Sequence, residues 1–593
     1  MSPRAHLGLS LTLLGLAGCT CSDKAAPDAG PVDAGPAQLT AKEPDDGPEQ
    51  ATAITGSAVV QSNLGADPSR PDEDWYALSS ALPRTVDLTV SCPPGADMVL
   101  EVMDEGRHPL AVVNAAGAGA SERLPNLSVS GRALVRVTSA KKGAGGSYTL
   151  TAWYGERVPG FELEPNDRAV DATPVPLGQA VSGYLAHPAD QDWYRLELWS
   201  APDAPDAGAP EPLPEDDAGE ADAAVVAPVD AGAPDAGAVA EARTALRIDL
   251  SAVEGVTFEL SLLSEAEAVL FSAKSRPGEG LSLRNVGVRS ADRVISVVVK
   301  SAWVGTGKDQ TRGSNATTYY TLTVAEEEAG ASAELEPNDE PSKATPIPAG
   351  SYREGFLAPQ GDVDYYRIDV AQPSLVKLQL SGVEALDLVL SAITPGDDSR
   401  KAPEETLAKA NEGGPKEPEL LSNVACSSTC YFRVEAASRK VNGKWVRDGE
   451  NATQSYRLSA TVASDDGSEE REPNQTVATA MPLPLGNSVR GTVYPKKDVD
   501  YFAVDLRSQP VKTALKATLT GILKVDVGLY AHRVGDDGAL TLVQTADAAK
   551  GDKPEVLRFT AEPGLYVFEV RDSKNRESNF QDTYQLTVET DGD

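Results

Sequence analysis

A short acidic motif occurs four times in this sequence, and a second acidic motif follows each copy. ELEPND spans Glu162–Asp167 and returns at Glu334–Asp339, while the related KEPDDG starts at Lys42 and EREPNQ at Glu470. The two glutamates of ELEP are at positions i and i+2, so on an extended segment both carboxylates point to one side. An Asp-x-Asp pair downstream has the same property. Carboxylate oxygens in such number are the ligands that Ca²⁺ prefers. The alternative is a set of solvated turn residues in an acidic protein.

The two motifs belong to a longer repeated pattern. Each copy has an EPN-like turn, an apolar stretch ending near a glycine, Asp-x-Asp followed by two aromatic residues, and a closing Tyr-x-Leu. The Asp-x-Asp stretches read DEDWYALSS, DQDWYRLEL, DVDYYRIDV and DVDYFAVDL. A chain of 593 residues exceeds what one hydrophobic core supports. We therefore predict four copies of one domain at residues 41–155, 160–326, 332–463 and 468–590, named repeats one to four below.

The local pattern within each repeat is typical of β-strands. Runs such as TVDLTV, LRIDLS, VISVVVK and YFRVEA are short, rich in β-branched and aromatic residues, and alternate apolar with polar positions. Gly, Pro, Asn and Asp separate them at intervals typical of a sandwich or barrel. The sequence thus predicts an all-β protein in which each repeat is a two-layered antiparallel β-sandwich.

The N-terminus has the features of an exported, lipid-anchored protein. Residues 1–18 combine Arg4 with an apolar stretch too short to span a bilayer, as in a signal peptide. The sequence LAGC resembles the lipobox of bacterial lipoproteins, which predicts lipidation of Cys19; an ordinary secretory signal is the alternative. Thr20 after this cysteine suggests the outer membrane of a bacterial cell envelope. Residues 19–40 and 201–242 are rich in Pro, Ala, Asp and Gly, which predicts a flexible tether and a disordered acidic insert within repeat two.

The composition excludes several classes of function. A formal net charge of −36 disfavours nucleic-acid partners and favours cations or basic surfaces. The four histidines are scattered, so a histidine-rich transition-metal site is not expected. The sequence has no G-x-S-x-G, H-E-x-x-H or P-loop motif. We therefore predict no catalytic residues and no enzymatic activity.

The whole pattern resembles the bacterial pre-peptidase C-terminal domain family, which is similar to the collagen-binding domains of bacterial collagenases. This resemblance implies a jelly-roll-like β-sandwich, a fold that in this family usually trails a secreted peptidase. In its calcium-binding members, the E-x-E-P-N-D turn acts together with a serine before the glycine and with the Asp-x-Asp pair. The likeness covers nearly all of the predicted mature chain, four times over.

The resemblance implies a set of metal ligands in each repeat. In repeat two the set is complete: Glu162, Glu164, Asn166, Asp167, Ser182, Asp190 and Asp192. Repeat three has Glu354 in place of the serine and retains Glu334, Glu336, Asn338, Asp339, Asp362 and Asp364. Repeat four has Gln475 and Arg490 in place of an acid and the serine and retains Glu470, Glu472, Asn474, Asp498 and Asp500. Repeat one departs most, with Ala41 at the first position and only Glu43, Asp45, Asp46, Asp72 and Asp74 remaining. We expect Ca²⁺ foremost in repeats two and three, and we expect Arg490 to bring a positive charge towards the site of repeat four.

Cysteines outside the lipobox suggest one disulfide. Cys426 and Cys430 flank a three-residue turn, and a disulfide is the expected state of such a pair in an exported chain; a metal-binding Cys-x₃-Cys is the alternative. Cys21 and Cys92 have no predicted role.

These features together predict a lipid-anchored envelope protein made of calcium-stabilised modules. Its expected role is binding, adhesion or surface assembly, with a protein or polysaccharide as the ligand. The alternative is a non-catalytic spacer or accessory subunit of an envelope complex, and a hydrolase with an unfamiliar site is the least favoured hypothesis.

Overall fold

A computed structural model describes residues 35–69, 72–115, 117–198, 243–289, 291–397, 399–548 and 553–592. The predicted signal peptide, Cys19, most of the tether and the acidic insert lie outside these ranges. Regular structure in the described residues consists of 37 strands and three short 3-10 helices at Ala169–Asp171, Gly307–Asp309 and Pro341–Lys343. No helix in the described ranges has the length and apolarity needed to cross a bilayer. The prediction of an all-β protein is confirmed.

Repeat one is built on two long bent strands. Its strands are Ala37–Thr40 (β1), Thr52–Ile54 (β2), Ala58–Leu64 (β3), Asp74–Ser91 (β4), Met98–Met103 (β5), Pro109–Val113 (β6), Glu122–Ser139 (β7) and Gly146–Gly155 (β8). They form one eight-stranded sheet in the order β1-β3-β8-β4-β7-β5-β6, with β2 paired to β4. The register between β4 and β7 shifts at two points, so both strands bend while remaining paired.

In repeat two, the strands that correspond to those of repeat one form two separate sheets. Its strands are Thr173–Pro174 (β9), Ala180–Leu185 (β10), Gln191–Glu197 (β11), Arg243–Leu250 (β12), Phe258–Ser264 (β13), Val269–Lys274 (β14), Leu281–Arg289 (β15), Val294–Ser301 (β16) and Asn315–Glu327 (β17). The sheets have the orders β10-β17-β12-β15 and β14-β13-β16-β11-β9. The acidic insert falls between β11 and β12, where β4 of repeat one is continuous.

Repeats three and four have the strand order of repeat two. The strands of repeat three are Thr345–Pro346 (β18), Tyr352–Leu357 (β19), Val363–Asp369 (β20), Ser374–Leu380 (β21), Leu388–Thr394 (β22), Glu405–Ala410 (β23), Glu419–Cys426 (β24), Thr429–Ala436 (β25), Arg439–Val441 (β26), Lys444–Val446 (β27) and Asn451–Ser464 (β28). Those of repeat four are Met481–Pro482 (β29), Ser488–Val493 (β30), Val499–Asp505 (β31), Thr513–Leu519 (β32), Val527–Val534 (β33), Leu540–Ala546 (β34), Glu555–Ala561 (β35), Leu565–Asp572 (β36) and Asn579–Thr590 (β37). The sheets are β19-β28-β21-β24 with β18-β20-β25-β22-β23, and β30-β37-β32-β35 with β29-β31-β36-β33-β34.

The sheets are mixed, whereas the sequence pattern predicted antiparallel ones. Strands β9, β18 and β29 pair in parallel with β11, β20 and β31. Each is two residues long and lies between the acidic turn and the next strand. The pairing is parallel because the short strand runs in the same direction as β11, β20 or β31, at the edge of that strand's sheet. The chain then continues into the other sheet of the repeat through β10, β19 or β30.

Each repeat has its own hydrophobic core. Four clusters of buried apolar side chains occupy residues 54–152, 175–324, 347–460 and 481–588. In repeat two the cluster contains Leu322 of one sheet and Val297 of the other. The Tyr-x-Leu positions alternate inward, since Tyr320, Leu322 and Val324 are buried while the threonines between them are less so.

Candidate metal centres

The structure brings the two acidic motifs of repeat two together. Oxygen atoms of Glu162, Glu164 and Asp192 lie within 4.8 Å of one another, as do those of Glu164, Asp167 and Asp190. Asp190 and Asp192 are presented by the start of β11, whose Trp193 donates its backbone N–H to the carbonyl of Asn166 at 3.0 Å. This bond holds the acidic turn against the Asp-x-Asp strand.

Donors from the protein saturate only part of this cluster. Glu162 accepts hydrogen bonds from the backbone N–H of Tyr184 and, at 2.9 Å, from the Tyr194 hydroxyl. Asp192 accepts one from the Tyr320 hydroxyl. Three buried oxygens have no partner: Glu164 Oε1, Asn166 Oδ1 and Asp192 Oδ1. Native structures seldom leave buried polar atoms without a partner, so three acceptors in one cluster call for a cation, protons or ordered water.

The electrostatics of the cluster lead to the same requirement. Glu162, Glu164, Asp190 and Asp192 are buried, and no Lys or Arg in the described residues forms a salt bridge with them. Burial raises the pKa of Glu162 to about 8 and that of Asp190 to about 7. The pKa values of Glu164 and Asp192 are raised by burial first and then by the neighbouring carboxylates. Ionising all of these groups at neutral pH therefore requires a compensating positive charge.

A glycine makes room for the cluster. A methyl group at Gly183 would lie 2.2 Å from Glu162 Oε2 and 2.4 Å from the Tyr194 hydroxyl. Gly183 thus faces the carboxylates, and because side chains alternate along β10, Ser182 points to the other face. Ser182 contributes through its backbone, since its carbonyl accepts the N–H of Glu162 at 2.9 Å.

Repeat three reproduces this arrangement. Oxygens of Glu334, Glu336 and Asp364 lie within 4.8 Å of one another. The oxygens without partners are again Glu336 Oε1, Asn338 Oδ1 and Asp364 Oδ1. Burial raises the pKa of Glu334 to about 7 and also raises those of Glu336, Asp339, Asp362 and Asp364. Glu354 takes the place of Ser182, and its carbonyl likewise accepts a backbone bond, from Glu334 at 2.9 Å.

Repeat four has more internal donors. The Asn474 amide donates to Asp500 at 3.0 Å. The additional donors are the Gln475 amide, which donates to Glu472, and the Thr492 hydroxyl, which donates to Glu470 at 2.9 Å. Two buried oxygens lack partners, Glu472 Oε1 and Asn474 Oδ1. Burial raises the pKa of Glu472 to about 8 and that of Asp500 to about 7, and it raises those of Glu470 and Asp498.

The prediction that Arg490 brings a positive charge towards the site of repeat four is wrong. Its guanidinium forms a salt bridge with Glu469, which lies outside the buried cluster. Arg490 points away from the cluster because it occupies the strand position of Ser182, and it is Gly491 that faces the carboxylates.

Repeat one has the same number of carboxylates as repeat two, in a different arrangement. Ala41 occupies the position of Glu162, but Asp45 replaces Asn166, and oxygens of Glu43, Asp45 and Asp74 lie within 4.8 Å of one another. A second group consists of Glu43, Asp46 and Asp72. Both oxygens of Asp45 and Oδ1 of Asp74 are buried without partners. Burial raises the pKa of Asp45 to about 7 and that of Asp74 to about 6.

All four sites share two features that the sequence analysis did not identify. The peptide bond before the motif proline is cis in every repeat: Glu43–Pro44, Glu164–Pro165, Glu336–Pro337 and Glu472–Pro473. The Tyr of Tyr-x-Leu donates its hydroxyl to an Asp of the Asp-x-Asp pair in each repeat, the donors being Tyr148, Tyr320, Tyr456 and Tyr584. The four occurrences of this tyrosine were visible in the sequence, but nothing there showed that its hydroxyl reaches the acidic cluster.

The predicted cysteine pair is a disulfide between Cys426 and Cys430, at the turn from β24 to β25. Cys92 is a free, half-buried thiol. Neither lies among the residues of the acidic clusters.

No family model matches the chain, and no curated protein matches it. Among solved structures, the pre-peptidase C-terminal domain of collagenase from Bacillus anthracis is similar at 15% identity over 18% of this chain and 94% of that one, with a TM-score of 0.16. The stem and receptor-binding domain of spike protein P1 from bacteriophage PM2 is similar at 12% identity over 40% of this chain and 98% of that one, with a TM-score of 0.13. A structure of infectious bursal disease virus, Gt strain, is similar at 9% identity over 94% of this chain and 85% of that one, with a TM-score of 0.12. TM-scores this low do not establish a common fold.

Proposed function

We propose that this chain is a lipid-anchored cell-envelope protein of four β-sandwich modules that calcium stabilises, and that it acts in binding, adhesion or surface assembly. One observation carries the calcium proposal: a buried oxygen without a hydrogen-bond partner occurs at the position of Asn166 in all four repeats, and at the positions of Glu164 and Asp192 in three of the four. Hard, anionic oxygens favour Ca²⁺ over softer metals, and in the described residues the buried carboxylates of repeats two to four form no salt bridge with Lys or Arg. The ligands would be Glu162, Glu164, Asn166, Asp167, Asp190 and Asp192 in repeat two, with their counterparts in the other repeats.

Calcium binding is tested by the thermal stability of the mature chain. We expect millimolar calcium to raise Tm relative to chelator, and Glu164→Gln combined with Glu336→Gln to remove most of that rise. Glu265→Gln is the matched control because Glu265 is exposed in a turn and belongs to no cluster. Equal melting curves in calcium and in chelator would refute the proposal. Isothermal titration calorimetry then gives the number of ions bound per chain.

The modular and envelope parts of the proposal have separate tests. The shared strand order and the separate cores support four copies of one β-sandwich module. The lipid anchor rests on the LAGC sequence, and Cys19→Ala should move the protein from the membrane fraction to the soluble fraction of its cell. Retention of that variant on the membrane would refute anchoring through Cys19.

A non-catalytic spacer is the second candidate. It is favoured by the contacts between successive repeats, such as the Arg284 guanidinium of repeat two, which donates to the Ala452 carbonyl of repeat three at 3.0 Å. A glycan and protein array probed with and without calcium separates the two candidates. Saturable, calcium-dependent binding supports a binding protein, whereas a spacer shows none. Turnover in a peptidase and glycosidase panel would contradict both.

A further inference from the structure

One residue of each acidic turn also joins its repeat to the preceding one. The backbone N–H of Glu164 donates to the carbonyl of Asn126 at 3.0 Å, and its carbonyl accepts the N–H of Ser128 at 2.7 Å. The same pair of bonds links Glu336 to Asn285 and Gly287, at 2.9 and 2.8 Å. A third pair, both bonds at 2.9 Å, links Glu472 to Asn423 and Ala425. Three of the four acidic turns thus form a short parallel bridge with the preceding repeat.

The partner in the preceding repeat is always a β-bulge. Asn126, Asn285 and Asn423 have φ values of 52°, 51° and 53°, in the left-handed region that Asn tolerates better than most residues. Each supplies one extra residue to β7, β15 or β24, where the register with the neighbouring strand shifts. A bulge releases backbone groups from the ladder of its own sheet. The carbonyl of each bulge asparagine and the N–H two residues later lie on the side of the strand that has no neighbour in its own sheet, and these groups bond to the next repeat.

Repeat four provides a natural comparison, because its equivalent strand bonds to no later acidic turn within the described residues. Its equivalent strand, β35, pairs with β32 without a register shift, and no residue of β35 has a positive φ. The local sequences agree, since LPNLS, LRNVG and LSNVA of the first three repeats correspond to LRFTA in the fourth. In the described residues the bulge therefore occurs where a strand bonds to the next acidic turn, and it is not a requirement of the fold.

Backbone hydrogen bonds attach the acidic turn both to its own repeat and to the preceding one. Within repeat two, the Glu162 N–H donates to the Ser182 carbonyl at 2.9 Å, and the Ser182 N–H donates to Gly160 at 2.7 Å. Two residues later, Glu164 bonds to repeat one. The side chains of Glu162 and Glu164 meet at the acidic cluster between these two attachments.

We propose that cation binding and docking onto the preceding bulge form one coupled equilibrium in repeats two, three and four. The proposal rests on the proposed calcium function. A cation held by the Glu164 carboxylate fixes the backbone groups that bond to Asn126 and Ser128, so binding favours docking. By reciprocity, docking tightens cation binding by the same factor. Calcium then sets the relative orientation of neighbouring repeats at three junctions, and the bulge is the surface that recognises the acidic turn.

Hydrogen exchange of the full mature chain tests this coupling at each junction separately. The reporters are the amides of Ser128 and Gly287, which donate across the first and second junctions. We expect calcium to slow exchange at both. Glu164→Gln should remove the effect at Ser128 and leave it at Gly287, while Glu336→Gln should do the opposite. Exchange at Ser128 that does not respond to calcium, in a chain that binds calcium by calorimetry, would overturn the coupling and leave the calcium proposal standing. A chain that binds no calcium would overturn both.

A bulge variant tests the reciprocal effect on affinity. Val at position 126 disfavours the left-handed conformation, whereas Gly adopts it freely. In a chain whose other sites are disabled by Glu43→Gln, Glu336→Gln and Glu472→Gln, we expect Asn126→Val to weaken calcium binding about tenfold. Asn126→Gly should retain the affinity. Equal affinities for the two variants, both folded by circular dichroism, would overturn the coupling.

Discussion

The hydroxyl oxygens of Tyr194 and Tyr320 lie 2.6 Å apart beneath the acidic cluster of repeat two. Tyr194 also contacts Glu162, at 2.9 Å, and Tyr320 contacts Asp192. Two hydroxyl protons cannot serve three contacts, so without a cation a proton shared by Glu162 and Asp192 would supply the third, in keeping with the raised pKa values of both carboxyls. When a cation replaces that proton, the two tyrosines can still orient Asp192 through a chain of hydrogen bonds.

Removing the Tyr320 hydroxyl should destabilise repeat two. Tyr320→Phe leaves the buried Asp192 with one donor fewer, which costs about 1–3 kcal/mol in the free energy of unfolding. Urea denaturation in calcium measures this loss. Tyr319→Phe is the matched control because Tyr319 is the exposed neighbour on the same strand. Equal losses for the two variants would contradict a role for the Tyr320 hydroxyl.

The glycine that faces each cluster should not tolerate a methyl group. In repeat three, a Cβ at Gly355 would lie 2.3 Å from Glu334 Oε2 and 2.5 Å from the Tyr456 hydroxyl. We expect Gly355→Ala to cost about 1–3 kcal/mol, as overpacking of a filled interior does, and to weaken calcium binding. Gly414→Ala, in the same repeat, adds a methyl group with nothing within 4 Å. Calorimetry of both variants with and without calcium checks the prediction, and a stable Gly355→Ala that binds calcium normally would contradict it.

Stability without calcium should fall as pH rises. The folded chain holds protons on Glu162 and Asp190 up to pKa values of about 8 and about 7, whereas the unfolded chain releases them near 4.5 and 3.8. Between these limits the folded state binds more protons than the unfolded state, so the free energy of unfolding decreases with pH. We expect a lower Tm in chelator at about pH 8 than at about pH 5.

Calcium should reverse this trend, because the cation replaces the protons. The rise in Tm on adding calcium should therefore be larger at about pH 8 than at about pH 5. Differential scanning calorimetry across this range checks both statements. A Tm in chelator that increases from pH 5 to pH 8 would contradict the assignment of raised pKa values to these carboxyls.

The sequence predicted the parts of this structure that depend on local pattern. Period-two alternation identified the strands, and the recurrence of ELEPND with Asp-x-Asp identified the acidic turns and their partners. Side-chain direction was harder to predict, because a shift of one residue moves a side chain to the opposite face. For this reason Ser182 was expected at the cluster where the structure places Gly183.

Contacts between repeats could not be inferred from one repeat alone. The bulge asparagines occur in LPNLS, LRNVG and LSNVA, a pattern visible in the sequence but without meaning until the backbone of Glu164, Glu336 or Glu472 lies beside it. The parallel pairing of β9 with β11 was likewise hidden, because two-residue strands carry no periodicity.

Repeat one offers a test by gain of function. The Ala41 N–H donates to Gln61 at 3.0 Å, as Glu162 does to Ser182, so Ala41 occupies the backbone position of the missing glutamate. Ser62 stands where repeat two has Gly183, and its hydroxyl donates to Asp74 at 2.9 Å. The triple variant Ala41→Glu, Asp45→Asn and Ser62→Gly restores the pattern of repeat two while keeping the number of carboxylates.

With Glu164→Gln, Glu336→Gln and Glu472→Gln silencing the other sites, we expect the triple variant to raise the calcium affinity of repeat one about tenfold, because ligand arrangement and site rigidity set affinity. Ser62→Gly alone should not raise it, since that change removes a donor and adds no ligand. Calorimetry that gives the triple variant the affinity of its parent would mean that the first glutamate of ELEPND does not bind the ion.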